Sequence, residues 1–169
     1  LSITGTSNIG ANVTTSGAQT YAGAVTVSAA STLSTTDSNV TLGSTVTLGE
    51  NLTVNTGAGA GDIVISGAID GAKALSLSAG TGAIILSETV GQATRLGAVT
   101  LNSTGATTLG KAIKAASLTT NAGGTVLING GSVDTTGVQT YGEAITLGAN
   151  TALEGTTIHT QSTLAGGGK

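Results

Sequence analysis

The chain contains no cysteine, proline, methionine, tryptophan or phenylalanine, and its only aromatic residues are two tyrosines. The absence of cysteine excludes disulfide bonds, cysteine-ligated zinc and thiol nucleophiles, and it is compatible with a protein that is exported unfolded. With so few aromatic rings, a wide globular core is not expected. Burial has to come from thin layers of aliphatic side chains, each of which contributes about 1.5–3 kcal/mol when it is fully enclosed.

Charged residues are also scarce: they make up 8% of the chain, and the net charge is −3. An acidic chain almost without aromatic residues gives no support for nucleic-acid binding. No segment has the 18 or more consecutive apolar residues of a membrane-spanning helix, so no membrane span is predicted. The mean hydropathy of +0.34 argues against a disordered chain, because aliphatic residues occur along its whole length.

Short segments in which apolar and polar residues alternate recur along the chain, which is typical of strands with one buried face. The 28 glycines separate these segments and suit corners with positive φ. No stretch keeps the 3.6-residue apolar period of a helix. Seven segments serve as anchors, at intervals of 19 to 27 residues: 1–4, 25–28, 52–55, 75–78, 99–102, 118–121 and 145–148.

This pattern predicts an all-β fold, a parallel β-helix (β-solenoid) of about seven rungs with roughly 24 residues in each. Three short apolar segments in each rung indicate three faces, and equivalent strands would stack about 4.8 Å apart. The predicted solenoid is a single domain over residues 1–164. Residues 165–169 are expected to form a flexible glycine-rich tail.

One stretch of the sequence occurs twice at an offset of 120 residues, since residues 17–33 match residues 137–153 without an insertion. Gln-Thr-Tyr at 19–21 returns at 139–141, and Val-Thr-Val at 25–27 returns as Ile-Thr-Leu. Such an internal repeat favours a repeat array. Tyr21 and Tyr141 are therefore expected to occupy equivalent places about five rungs apart.

A small or polar residue follows each anchor strand, and asparagine occupies three of these positions, Asn55, Asn102 and Asn121. Asparagine tolerates the left-handed backbone conformation and forms hydrogen-bonded stacks with its own kind. The pattern predicts a polar ladder at one corner, with a structural role.

Candidate catalytic and metal-binding patterns are weak. The only imidazole, that of His159, would have to serve every candidate serine or threonine nucleophile. The eight acidic residues are scattered, whereas a glycan-degrading β-helix needs clustered carboxylates. Neither a nine-residue calcium-binding repeat nor a phosphate-binding loop is present. The chain is predicted not to be an enzyme and to need no metal or cofactor.

Two pairs of residues and the two tyrosines are candidates for surface contacts. Lys73 and Glu50 lie at the same position in neighbouring rungs, which predicts an exposed ion pair worth about 0–1 kcal/mol. Arg95 and Lys114 are predicted to form a like-charge stack, which either attracts an anionic surface glycan or is simply solvated. The tyrosines either contact a glycan or partner, or cover corners with their rings and keep their hydroxyls in water.

The repeated Gln-Thr-Tyr-x-x-Ala-[Val/Ile]-Thr-[Val/Leu] box, the segment 59–67 and the rung that begins at 118–123 resemble repeats of giant bacterial surface exoproteins. These form the filamentous-haemagglutinin-like and autotransporter-passenger class. The resemblance covers almost the whole chain. It implies a right-handed β-helix that is exported across a bacterial outer membrane and used in adhesion, biofilm formation or surface layers. The export route stays open, because the secretion domain of that class is not visible.

The leading hypothesis is a non-enzymatic module of a secreted filament or adhesin at the bacterial cell surface. Its partners would be further copies stacked end to end or flanking repeats of the same chain, since neither end of the sequence shows a capping pattern. The alternative is a solenoid that binds a surface glycan or ice. Ice would need flat rows of threonine at constant spacing, which the intervals of 19 to 27 residues disfavour. A glycan-degrading enzyme is the third class.

Overall fold

The computed structural model describes residues 1–166, which form short β-strands joined by turns. In chain order the strands are β1 (Ser2–Ile3), β2 (Ser7–Ile9), β3 (Val13–Thr14), β4 (Gln19–Tyr21), β5 (Val25–Val27), β6 (Ser31–Ser34), β7 (Val40–Leu42), β8 (Val46–Leu48), β9 (Leu52–Asn55), β10 (Ile63–Ile65), β11 (Ile69–Asp70), β12 (Leu75–Ser78), β13 (Ile84–Leu86), β14 (Leu96–Asn102), β15 (Ala106–Leu109), β16 (Ile113–Thr120), β17 (Thr125–Ile128), β18 (Ser132–Thr135), β19 (Val138–Tyr141), β20 (Ala144–Leu147), β21 (Ala152–Glu154), β22 (Thr157–Thr160) and β23 (Leu164–Gly166).

The strands stack in parallel on three faces, so the predicted parallel β-helix is confirmed. Face A consists of β1, β4, β7, β10, β13, β15, β17, β20 and β23. Face B consists of β2, β5, β8 and β11, and two bridges through Val90 continue it into the start of β16 and then into β18 and β21. Face C consists of β3, β6, β9, β12, β14, the end of β16, β19 and β22.

The turns are shorter and more numerous than predicted. On face A the chain returns to the same column every 18 to 23 residues, which gives eight turns between Ile3 and Gly166. Of the seven anchor segments, only the four from 52–55 to 118–121 stack on one face. Short alternating segments have the same sequence pattern on all three faces, so anchors from different faces were treated as equivalent. The predicted spacing of roughly 24 residues therefore includes some intervals that are not whole turns.

The core is a narrow column of aliphatic side chains that runs along the axis. Within β5, Val25 and Val27 are buried while Thr26 between them is exposed, as the alternation predicts. On face A, Leu42 in β7 and Ile65 in β10 are both buried and stack directly on one another. Stacked aliphatic residues of similar volume therefore replace the wide core of a globular domain.

Asparagine and aspartate side chains at the corners join successive turns. The Oδ1 atom of Asn39 accepts the backbone N–H of Asp62 at 2.9 Å, and the Oδ1 atom of Asp62 accepts that of Ala83 at 2.7 Å. Asn51 does the same for Ala74, at 2.9 Å. Each bond satisfies an N–H group at a point where the strand ladder is interrupted, so these side chains extend the hydrogen bonding around the corners.

The 120-residue repeat does not return to the same face. Tyr21 stacks between Ile3 and Leu42 on face A, whereas Tyr141 stacks between Thr120 and Thr160 on face C. The matching strands also shift, since β5 lies on face B and its counterpart β20 on face A. One repeat thus spans five turns plus two of the three faces, and its second copy is rotated by one face about the axis.

The boundary of the predicted tail is also wrong. Ala165 and Gly166 belong to β23 and continue face A, so the solenoid extends beyond residue 164. Residues 167–169, the rest of that tail, lie outside the described part of the chain.

Candidate functional site

A buried glutamine fixes the corner between faces C and A in the first copy of the repeat. The side-chain amide of Gln19 donates to the carbonyl oxygens of Val13 at 3.1 Å and Ser34 at 2.8 Å. Its Oε1 atom accepts the hydroxyl of Tyr21 at 3.1 Å. Gln19 is 0% exposed, so a single side chain satisfies backbone and phenol groups that water does not reach.

The second copy reproduces these bonds with every partner offset by 120 residues. The amide of Gln139 donates to the carbonyl oxygens of Val133 at 2.9 Å and Glu154 at 2.7 Å. The hydroxyl of Tyr141 donates to Gln139 Oε1 at 2.9 Å. The repeated Gln-Thr-Tyr box therefore encodes a corner with a fixed hydrogen-bond pattern.

Both tyrosines are buried, so neither is the glycan or partner contact predicted from the sequence. Tyr21 and Tyr141 are 0% exposed, and each hydroxyl donates a hydrogen bond to a glutamine. Burial raises the pKa of both hydroxyl groups above the ordinary value. The sequence signal that was missed is the glutamine two residues earlier, which provides the hydrogen-bond acceptor that a buried phenol requires.

Glu143 is a buried position at which the two copies differ in charge. Its counterpart is Gly23, at which a side chain would meet the backbone of Gly5 in the turn below. Glu143 is 3% exposed, and within residues 1–166 neither oxygen of its carboxylate has a hydrogen-bond partner of normal geometry, although the Thr120 hydroxyl is nearby. Burial raises the pKa of Glu143 to about 7, and the neighbouring Thr120 hydroxyl opposes this increase.

Arg95 and Lys114, the predicted like-charge pair, do not form a free cationic site. The two residues lie in neighbouring turns, because Leu96 pairs with Ala115. The guanidinium of Arg95 forms an ion pair with Asp134 Oδ2 at 2.6 Å and donates to the backbone oxygens of Asp134 and Ala115. The hydrogen bond from Arg95 and the charges of Arg95 and Lys114 hold the pKa of Asp134 below its usual value.

The predicted ion pair between Lys73 and Glu50 is confirmed. Lys73 Nζ lies 3.0 Å from Glu50 Oε1, with side chains 37% and 44% exposed. An exposed pair of this kind contributes about 0–1 kcal/mol.

The predicted asparagine ladder exists on face C but does not work by bonds between stacked amides. Asn55 and Asn102 stack through Ser78, and Asn121 follows in the next turn. The Oδ1 atom of Asn55 accepts the nearby N–H of Gly57, and that of Asn121 accepts the N–H of Ser103 in the turn below. The asparagines therefore cap local backbone groups, as the corner residues do.

The terminal turns differ from the interior in what they expose. Leu1 is 50% exposed at one end, and Ile158 and Leu164 are 38% and 51% exposed at the other. All residues of β22 and β23 are exposed, because within residues 1–166 these strands pair with only the preceding turn. Hydrophobic surface and unpaired strand edges thus coincide at the two ends of the described rod.

His159 and the acidic residues are the candidate groups of this chain for catalysis or metal binding. His159 is exposed on β22, directly above Thr140, and no group of three or more histidine or acidic side chains within residues 1–166 is arranged to hold a metal ion. That part of the chain also has no helix of the length and hydropathy needed to cross a membrane.

Comparisons with protein-family models, curated proteins and solved structures find no match to this chain.

Proposed function

We propose that this chain is a structural module of a secreted bacterial surface filament or adhesin, in which stacked turns form a stiff rod. The proposal rests on the uninterrupted parallel stacking of eight turns, whose strands pair over three faces. Backbone hydrogen bonds parallel to the axis and a continuous aliphatic column resist bending, since every turn is paired with the next on all three faces.

The exposed side chains of the two terminal turns support extension of the rod at its ends. The last turn presents Ile158 and Leu164 beside unpaired strand edges, and the first presents Leu1. A further turn of the same type would bury these side chains and pair those strands. That turn comes either from a second copy docked end to end or from flanking repeats of the same polypeptide.

The resemblance of the Gln-Thr-Tyr box to repeats of filamentous-haemagglutinin-like exoproteins supports the proposed setting. Export, cell-surface localisation and a role in adhesion or biofilm follow from that resemblance and form part of the proposal. A glycan-binding role loses its two supports, because Tyr21 and Tyr141 are buried and Arg95 is paired with Asp134.

End-to-end assembly is testable with the chain as it stands. We expect residues 1–169 to form fibres at high concentration, seen by negative-stain electron microscopy and sedimentation velocity. Replacing Ile158 and Leu164 together by lysine should abolish them, because the next turn would bury two charges. Val138→Lys is the matched control, since Val138 is equally exposed, at 38%, but points outward from β19.

Fibres that persist in the Ile158→Lys, Leu164→Lys variant would show that the ends are not the contact surface. Wild-type chains that remain monomeric at every concentration would contradict stacking of separate copies. Extension of the rod by flanking repeats of the same polypeptide would then be tested by a tandem chain that contains a second copy of the repeat.

A further inference from the structure

Face C carries a straight row of hydroxyl groups on its outer surface. The row consists of the central outward residues of six successive strands, each paired directly with the next: Thr32, Thr53, Ser76, Thr100, Thr119 and Thr140. A second outward row runs beside it, two residues further along each strand, and consists of Thr14, Ser34, Asn55, Ser78 and Asn102. Together they form the surface that we call the hydroxyl face.

The spacing of the hydroxyl face is constant although the lengths of the turns are not. Adjacent strands place its residues about 4.8 Å apart along the axis, and the two rows are about 7 Å apart. Extra residues are accommodated at the corners, as in 91–95, where Asp70 Oδ1 accepts the N–H groups of Ala93 and Thr94. The variable sequence intervals, which disfavoured a regular plane, therefore do not disturb it.

The two rows of the hydroxyl face contain no charged side chain, and the hydroxyl groups of the first row are free of hydrogen bonds to other groups of the described protein. None of the eleven residues of the two rows has an ionisable side chain, and His159 follows Thr140 in the first column at the end of the rod. Within residues 1–166, the six hydroxyls of the first row form no hydrogen bond with the protein, and the one hydrogen bond between these six residues and a side chain runs from the backbone N–H of Thr32 to Asn12 Oδ1. Thr100 and Thr119 are exposed in the centre of the row. Five of the six residues also present a methyl group next to the hydroxyl.

Face B shows that this composition is not a general property of the rod. Its outward positions begin with Asn8, Thr26 and Thr47 but later include Asp70, Lys114 and Asp134. Charges of both signs retain their own hydration, whereas regular rows of hydroxyl and methyl groups order water on a repeat set by the protein backbone.

We propose that the hydroxyl face binds ice. Its rows offer hydrogen-bonding groups at a repeat similar to that of oxygen atoms in the ice lattice, on a surface where no charged side chain of either row disrupts the ordered water. A polysaccharide is a poorer match, because sugar rings are usually held by exposed aromatic side chains and both tyrosines of this chain are buried. This activity goes beyond the structural role and does not depend on end-to-end assembly.

The test measures thermal hysteresis and the uptake of fluorescently labelled protein into a growing ice hemisphere. We expect both for the wild-type chain and at least a fivefold reduction for the double variant Thr100→Lys, Thr119→Lys. The matched control is Thr26→Lys, Thr47→Lys, which adds the same charges at equally exposed positions between buried residues on adjacent strands of face B. It should retain the wild-type activity.

Absence of both effects in the folded wild-type chain would overturn the proposal, as would equal losses in the two double variants. Circular dichroism and melting curves establish that each variant is folded. If the lysine pair on face C unfolds the chain, Thr100→Val and Thr119→Val provide the second test. Each valine keeps the shape and the methyl group of the threonine but lacks the hydroxyl. If the lysine variant does not fold and the valine variant keeps full activity, the proposed role of the hydroxyl groups is rejected.

Discussion

The corners at Gln19 and Gln139 have the same bonds but lie on different faces. In both copies a glutamine amide holds two backbone carbonyls and its oxygen accepts a tyrosine hydroxyl. Tyr21 nevertheless belongs to face A and Tyr141 to face C. The sequence repeat therefore specifies a local corner and the strands that flank it, and not a position around the rod.

This comparison separates two periods that coincide in many solenoids. The stacking period is 18 to 23 residues, while the sequence repeat covers five turns and two faces. The three faces tolerate the exchange because each buries alternate aliphatic residues in the same way. In an array of such repeats, a given surface residue would lie on a neighbouring face in each successive copy. It would lie on its original face again after three copies.

The largest expected effect comes from extending the rod by the rule that the comparison gives. Since Leu147 pairs with Gly166 as its counterpart Val27 pairs with Leu48, residue 166 corresponds to residue 48, and a chain of residues 1–166 followed directly by residues 49–166 should form one continuous solenoid. Burying Ile158 and Leu164 at the junction contributes about 1–3 kcal/mol, and every added interface between turns contributes further. We expect one cooperative melting transition, above that of residues 1–166, and slow hydrogen exchange in β22.

The control for the tandem chain joins the same two segments through a flexible glycine–serine linker. The linker removes the register that direct fusion imposes, so the melting temperature should remain near that of a single copy. Two independent transitions in the directly fused chain, or exchange in β22 as fast as in residues 1–166, would contradict both the continuous register and the proposed extension by flanking repeats.

The sequence allowed the fold to be predicted but not the geometry of a turn. Alternation in segments such as 25–27 identifies which residues are buried, and the register later places Lys73 near Glu50 as expected. The predicted turn length was too large, because the sequence of a short apolar triplet does not indicate the face on which it lies. The tyrosines were misplaced because burial of a phenol depends on a partner, and Gln19 acts as one only when the corner brings it beneath the ring.

The next effect concerns Glu143, where the second copy departs from the first. Its pKa rises from 4.5 to about 7 on burial. The folded chain therefore keeps a proton that the unfolded chain releases, and the associated stability is complete below pH 4.5 and lost as the pH rises through about 7. The loss amounts to about 3 kcal/mol at pH 8. Glu143→Gln should remove this part of the pH dependence.

Chemical denaturation at pH 4, 6 and 8 measures this difference. The segments stacked on Glu143, 121–124 and 161–163, contain no ionisable side chain, and His159 on the neighbouring strand is exposed in both proteins. Subtracting the Glu143→Gln variant thus cancels the histidine. Parallel stability curves for the two proteins from pH 4 to 8 would show that the buried carboxylate does not titrate in this range.

The smallest effect tests whether the two glutamine corners are energetically equal. Replacing Gln139 by leucine keeps the volume but removes the partners of two backbone carbonyls and of the Tyr141 hydroxyl. Other hydrogen bonds and local relaxation reduce the cost, which we expect to be about 2 kcal/mol. Gln19→Leu should cost the same, because the bonds of Gln19 differ only slightly in length.

Urea unfolding of both variants at pH 5 keeps Glu143 largely protonated, so the comparison isolates the corner. A cost at Gln139 that is more than about 1 kcal/mol higher than at Gln19 would show that the face, and not the repeated box, determines the stability of the corner.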